Sequence, residues 1–376
     1  MGDVVLRVEG QRYSGWLSVE VSRNLESLAG EFTVGVVMES TAQLPAIVRG
    51  QEVLVEIEGQ RAISGWVRKT TSKITGEELS MTVTGRDYTA DLVDCSAVFK
   101  AGSWANQNLE QIARDLLSLF HIEVVWQVAD AKAAEPFPRF KLDHSETVFE
   151  ALSRGAKQRG IILTSDPLGR VVFTEPGLAG TAEPLMLGDN LLECEYVDDD
   201  SDRFSVYQVL GDSAGGSELG ESMLLEQVTS VTGTFVDDAV PRWRPKQIWA
   251  GTSTKTAAAQ SQAQTERARA LSQGQRVTAQ VRGWQQRDGA LWPLNAITAV
   301  TAPILGLQAR ELLIVDIRFA LDDDGGELAT LTLAPKEGYD LPREVIPSEQ
   351  AQAWQGIGIT QEQFDREIPS HLKRLS

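Results

Sequence analysis

The feature that most constrains this chain is a double change in the spacing of its apolar residues, from period two to helical spacing and back. Val4, Leu6 and Val8 alternate with polar residues, as do Val53, Val55 and Ile57, and then Met81 and Val83. A strand turns successive side chains to opposite faces, so this alternation predicts strands with one buried face. Gly10, Gly30, Gly50, Gly59 and Gly76 separate the runs as turns. Short strands at this spacing over residues 1–97 predict a small antiparallel β-barrel or sandwich.

After Gly102 the spacing becomes helical: Leu109, Ile112, Ala113, Leu116, Leu117 and Phe120 fall on one helix face, with Asn106 or Asn108 as N-cap. A strand follows at 122–126. A second helix is expected to begin at Ser145, bury Val148, Phe149, Leu152 and Ala156, and stop at Gly160. A hairpin over 161–174, turning at 165–169, completes an α+β domain spanning 98–178. Period two then returns through 191–196, 205–210, 228–235, 277–284, 296–301, 312–319 and 328–333. It is broken at 253–273, where Ala257, Ala258, Ala259, Ala263, Ala268 and Ala270 lie among Gln, Glu and Arg. High helix propensity without an apolar stripe predicts a helix that is exposed or packed through alanines.

A faint repeat links the two strand-rich regions. Leu44, Pro45, Ala46 and Ile47 lead into the alternation at 53–57, and Trp292, Pro293 and Leu294 lead into that at 297–300. Each region closes on a threonine-rich strand (79–84 and 328–333) followed by a tyrosine, Tyr88 or Tyr339. The expected fold is mainly β with an α+β insert: two related small antiparallel β-barrel domains, 1–97 and 179–340, flanking 98–178. The second carries the alanine-rich helical segment at about 253–273, and 341–376 forms a polar C-terminal tail.

Composition removes several functions. The chain has 376 residues, 35 of them Lys or Arg against 53 Asp or Glu, a formal charge of −18. Such a surface repels nucleic acid and anionic membranes, and no basic cluster stands ready to neutralise phosphate. Stable nucleic-acid binding is therefore not expected, nor membrane insertion, since no apolar run is long enough to span a bilayer. The opening segment lacks the cationic start and apolar core of a signal peptide. Cys95 and Cys194 are far apart and read as reduced thiols in apolar positions, which fits assembly in a reducing cytoplasm.

Chemistry is sparse. His121, His144 and His371 lie in separate segments, without the spacing of a metal site or a triad. Asp198, Asp200 and Asp202 imitate a calcium loop, but Arg203 stands where its glycine belongs and Val209 where its glutamate belongs. A solvated acidic turn is the better reading. No catalytic residue, cofactor or metal is expected. The nine tryptophans are spread from Trp16 to Trp354, which favours core and interface packing over a sugar platform.

Three stretches carry a resemblance: 145–152 running into 159–163; Arg203-Phe204-Ser205-Val206-Tyr207-Gln208-Val209-Leu210-Gly211; and Val281-Arg282-Gly283-Trp284 with Leu291-Trp292-Pro293-Leu294-Asn295. They are similar to stretches of the hub proteins of Mu-like phage baseplates, and more broadly of contractile-tail hub and late-control proteins. The resemblance runs over about 1–340 and marks Arg203, Tyr207, Gly283, Trp284, Trp292 and Asn295 as structural positions. It implies a homotrimer at the baseplate of a contractile phage tail or tail-like bacteriocin, an adapter between a hexameric tail tube and a trimeric spike. Tail tube protein, spike protein and other baseplate proteins are the implied partners, and DNA crosses the channel. The localisation implied is the virion, after assembly in the host cytoplasm. A tail-associated cell-wall hydrolase and a sugar-binding tail module are the alternatives.

Overall fold

The computed structural model describes residues 3–129, 131–211, 231–249, 256–322 and 326–340. The tail expected over 341–376 lies outside the described residues.

The first region forms β1 (Val4–Val8), β2 (Gln11–Tyr13), β3 (Ser18–Asn24), β4 (Glu31–Glu39), β5 (Glu52–Ile57), β6 (Gln60–Ile74) and β7 (Glu78–Asp87). The alternating residues face inward as read: Val4, Leu6, Val8, Val53, Val55, Ile57, Met81 and Val83 are all buried. Every pairing in this region is antiparallel.

The insert contains α1 (Ala90–Asp94), β8 (Ser103–Gln107), α2 (Leu109–Leu117), β9 (Val124–Trp126), β10 (Phe137–Lys141), α3 (Val148–Arg159), β11 (Ile162–Ser165) and β12 (Val171–Thr174). Asn108 caps α2 in a reciprocal box with Gln111, and the helix buries Leu109, Ile112, Ala113, Leu116 and Leu117. The second helix begins later than expected. Ser145 has φ +65°, and the first turn is organised instead by a box between Thr147 and Glu150. That start places Ala151 on the buried face and leaves Phe149 half-buried. Gly160 closes α3 at φ +65°, in the left-handed conformation that glycine adopts without strain.

The last region forms β13 (Leu185–Met186), β14 (Leu191–Asp198), β15 (Val206–Gly211), β16 (Val231–Val236), β17 (Pro245–Trp249), α4 (Thr256–Gly274), β18 (Gln275–Arg282), β19 (Ile297–Ala302), β20 (Leu307–Asp322) and β21 (Gly326–Ala334). Strands β15, β16 and β17 do not join the main sheet. They make their own three-stranded sheet, order β16-β15-β17, against which α4 packs Ala259 and Ala263 over Tyr207 and Val209. At Gly233 on β16 a Cβ would sit 2.1 Å from the Ala259 carbonyl carbon, so the helix backbone rests on the strand itself. Close approach through small residues explains a helix with no apolar stripe.

The remaining strands form one sheet of 13 among the described residues, with the path β14-β18-β21-β20-β3-β4-β7-β6-β5-β1-β2 and with β19 and β13 branching from β20. The two strand-rich regions are therefore joined edge to edge by β3 and β20, and one apolar core runs through both. No ladder joins β1 to β3 or β13 to β14 among the described residues; in the second region a single bridge, Leu187 to Leu191, spans that gap.

With the β2 hairpin arm set aside, β1, β3, β4, β5, β6 and β7 correspond to β13, β14, β18, β19, β20 and β21. Both sets have the same spatial order: second, third, sixth, fifth, fourth, first. The bulges match as well, between Val67 and Lys69 in β6 against β7 and between Ile314 and Asp316 in β20 against β21. The one difference in direction is that β13 runs parallel to β19 whereas β1 is antiparallel to β5.

Candidate functional site

The six positions singled out from the sequence gather in two places. Gly283, Trp284, Trp292 and Asn295 lie in the loop between β18 and β19, a hairpin closed by the bridge from Gln285 to Leu291. Gly283 turns the chain at φ +79°. The Trp284 ring is buried and its Nε1–H donates to the Ala320 carbonyl at 3.0 Å. Trp292 is buried in the same core. Asn295 holds φ +65° while its side chain accepts from Gly177 N–H at 2.9 Å and donates to the Glu175 carbonyl at 2.9 Å. It thus ties the end of the insert to the second region.

Its backbone role has a counterpart. Asn295 N–H donates to the Ile314 carbonyl, and Ile314 N–H to the Ala296 carbonyl; in the first region Gly50 N–H donates to the Val67 carbonyl, and Val67 N–H to the Gln51 carbonyl. Gly50 has φ +86°. Both regions need a left-handed residue at this point, which one meets with glycine and the other with asparagine.

Arg203 and Tyr207 lie apart from these, in the small sheet. Arg203 grips Asp237 with Nε at 2.7 Å and a terminal nitrogen at 3.1 Å, and Arg267 of α4 approaches the same carboxylate at 3.3 Å. Burial pushes the Asp237 carboxyl up, but the Arg203 hydrogen bonds, a backbone donor and Arg267 hold it below the usual carboxylate value. Tyr207 is fully buried, and its hydroxyl accepts from Phe204 N–H at 3.0 Å. These groups clamp α4 to its sheet.

A junction that the sequence reading missed joins the first region to the insert. Asp87, buried at the end of β7, accepts from Gly30 N–H (2.8 Å), Thr89 N–H (3.0 Å), Thr89 Oγ1 (2.6 Å) and Ser165 Oγ (2.8 Å). Burial raises its carboxyl above the ordinary range against the pull of these donors and of Arg23. Arg23 in turn donates to the Ser165 carbonyl. The signal was present: Asp87 continues the inward positions of Met81, Val83 and Gly85.

Beside this junction lies a cavity of about 580 Å³ between both strand regions and the insert, lined by residues including Arg23, Gln60, Thr164, Asp166 and Trp292. The carboxylate that lines it, Asp166, is already paired with Arg170. No group of three metal-binding side chains occurs among the described residues, and no described helix is long and apolar enough to cross a membrane. His121 and His144 are separate and exposed. Asp198 ends β14, and Asp200 and Asp202 lie in the exposed turn after it, where Asp200 pairs with Arg242 at 2.7 Å. The thiols differ from expectation: Cys95 is exposed at the end of α1 and Cys194 is half-buried on β14, because both sit on elements whose outer sides face solvent. The architecture is one of junctions and edges.

Comparison with known proteins agrees. Residues 3–87 match the family model for the Mu phage baseplate assembly protein GpP-like N-terminal domain. Residues 89–175 match that for the second domain of gp44-like baseplate hub proteins, and 255–342 that for the fourth domain of Mu phage baseplate assembly protein GpP. Baseplate hub protein gp44 of Escherichia phage Mu is 38% identical over 341 residues, 91% of this chain and 90% of the relative. The crystal structure of the 43 kDa tail protein of prophage MuSo2 from Shewanella oneidensis superposes with a TM-score of 0.80 at 32% identity, covering 90% of this chain and 100% of the other. A tail protein from Neisseria meningitidis MC58, 21% identical, shares the fold at a TM-score of 0.78, covering 91% of this chain and 99% of its own.

Proposed function

The chain belongs to the family of Mu phage baseplate hub proteins, components of the phage tail baseplate, and from that premise we propose that it is a homotrimeric adapter joining a hexameric tail tube to a trimeric spike. The role is structural and not catalytic. The observation that carries it is the shared strand order of the two sheet regions. A threefold protein meets a sixfold tube only if each subunit offers two equivalent surfaces, and three chains with two such regions each offer six.

In this reading 1–97 and 179–340 build the ring, and 98–178 with the β15–β17 sheet and α4 breaks the sixfold pattern toward the spike. Arg203, Tyr207, Gly283, Trp284, Trp292 and Asn295 act as framework, and 341–376 serves other baseplate contacts. The protein assembles in the host cytoplasm into the virion, and the genome passes through the channel.

The test is the native mass of the full chain by light scattering across a wide concentration range. A stable trimer is expected; monomer at every concentration would overturn the adapter.

A further inference from the structure

The junction between the two sheet regions predicts the junction between copies. Within the chain, β3 at the edge of the first region pairs with the C-terminal half of β20: Asn24 opposite Asp316, Ser22 opposite Arg318, Glu20 opposite Ala320 and Val19 opposite Leu321. That half of β20 is open to receive β3 because β19 covers only the N-terminal half, through Leu313. The equivalent elements are the C-terminal half of β6 and the strand β14. β5 pairs with β6 only as far as Trp66, and β14 pairs only with β18 among the described residues. Each copy therefore carries both members of this junction a second time, and among the described residues no ladder covers the side of β6 away from β7 beyond Trp66 or the second edge of β14 beyond Leu191.

We propose that β14 of one copy adds to the free half of β6 in the next, repeating the β3–β20 junction between chains. The matching bulges and shared partners fix the register. Lys69 occupies the place of Asp316, and Asp199 that of Asn24, since Val19 and Cys194 lie opposite the equivalent residues Val34 and Ala279. The antiparallel pairs across the seam are then Lys69 with Asp199, Thr71 with Val197, Ser72 with Tyr196, Lys73 with Glu195, and Ile74 with Cys194.

The chemistry of the edges fits this register. The β6 edge carries Arg68, Lys69 and Lys73, all exposed, in a chain of net charge −18. The β14 edge carries Glu193, Glu195, Asp198 and Asp199, also exposed. Directly opposed opposite charges stabilise an antiparallel pair, and the register places two lysines each opposite a carboxylate. Lys69, Lys73 and Glu195 have no side-chain partner in their own chain among the described residues. Ile74, 68% exposed at the end of β6, would be covered by Cys194 and Tyr196. An uncovered strand edge is a template for pairing with another chain, and a head-to-tail pairing of this kind closes into a ring when the rotation between copies permits. The occupant is a second copy, because the complement of each edge lies on the same chain.

This inference rests on the multi-copy reading above, and the experiment separates the two. Directly opposed residues in an antiparallel pair approach closely enough for a disulfide. In a Cys95→Ser background, Ile74→Cys should cross-link to native Cys194 of a neighbour under mild oxidation, giving covalent dimer and trimer on a non-reducing gel. Thr71→Cys, on the opposite face, should not. In parallel, Lys69→Glu with Lys73→Glu should convert trimer to monomer, and adding Glu195→Lys with Asp199→Lys should restore it. A trimer by light scattering that gives no Ile74→Cys cross-link, or that survives the double charge reversal unweakened, places the seam elsewhere and leaves the hub reading intact. Absence of any oligomer overturns both.

Discussion

At the scale of single residues, the junctions between regions are held by buried polar groups with several partners each. Asp87 is the clearest, with four donors converging on one buried carboxylate. An amide there would turn two of its own donors toward groups that already donate. Asp87→Asn should therefore cost about 2–4 kcal/mol in chemical denaturation, the range for leaving buried polar groups unpaired. Asp237 allows a pH test. Its carboxyl is held below the usual value, so the stability it brings is present above the unfolded pKa of about 4 and is lost as pH falls through the lower folded value. Arg203→Ala removes its main partner, and the stability gap between this variant and the parent should narrow as pH falls through that window; a gap independent of pH would refute the assignment. The left-handed pair of Gly50 and Asn295 predicts a third outcome. Gly50→Asn should be tolerated and Gly50→Val should cost roughly 1–3 kcal/mol more, because a β-branched side chain resists φ +86°. Equal thermal stability of the two variants would show that the conformation is not required.

At the scale of elements, packing decides what periodicity cannot. Gly233 lies under α4 with no room for a methyl group. Gly233→Ala should therefore lift the helix off its sheet, and amide exchange should speed up across α4 while β18 to β21 keep their protection; unchanged exchange in α4 would contradict the close approach. The contrast with the main sheet explains what was legible beforehand. Inward residues such as Val53, Val55 and Ile57 declare themselves because alternation is a local property of a half-buried strand. The same alternation at 205–235 says that strands exist but not which sheet they join, so β15 and β16 read as part of the second region. The alanines of α4 name a helix without naming its partner. The start of α3 was set by Thr147 and Glu150 reaching back to cap each other, a local geometry that outweighed the expected start at Ser145. Trp284 and Trp292 are both buried, whereas Asp87 continues the inward alternation of β7 but its partner Ser165 on β11 is known only from the fold.

At the scale of the whole molecule, the faint repeat in the sequence becomes an equivalence of strand order, bulges and left-handed turns. Departures from it among the described residues include the β2 arm, the parallel β13–β19 pair, the bulge between Leu191 and Glu193 in β14 against β18, and the small sheet with α4. Those belong to one region or the other and so would recur three times rather than six in a trimer. In the proposed assembly the genome passes through the ring. Each chain carries a formal −18, so three copies carry −54, three times that value. Duplex DNA binds without sequence preference when clustered cations displace its counterions, and affinity then falls steeply with salt. On the β6 edge Arg68 is already paired with Asp91 and Asp94, and the remaining cations, Lys69 and Lys73, are the ones that the proposed seam would cover with carboxylates. A ring closed in this way presents little to neutralise phosphate and repels it within a Debye length of about 10 Å at 0.1 M salt. The assembled protein should therefore leave the mobility of duplex DNA unchanged even at low ionic strength, while the Glu195→Lys, Asp199→Lys variant should begin to retard it as salt is lowered. Micromolar binding by the unmodified protein, with affinity falling steeply as salt is raised, would show a cationic track exposed in the assembly and would rule out passage along a repelling wall.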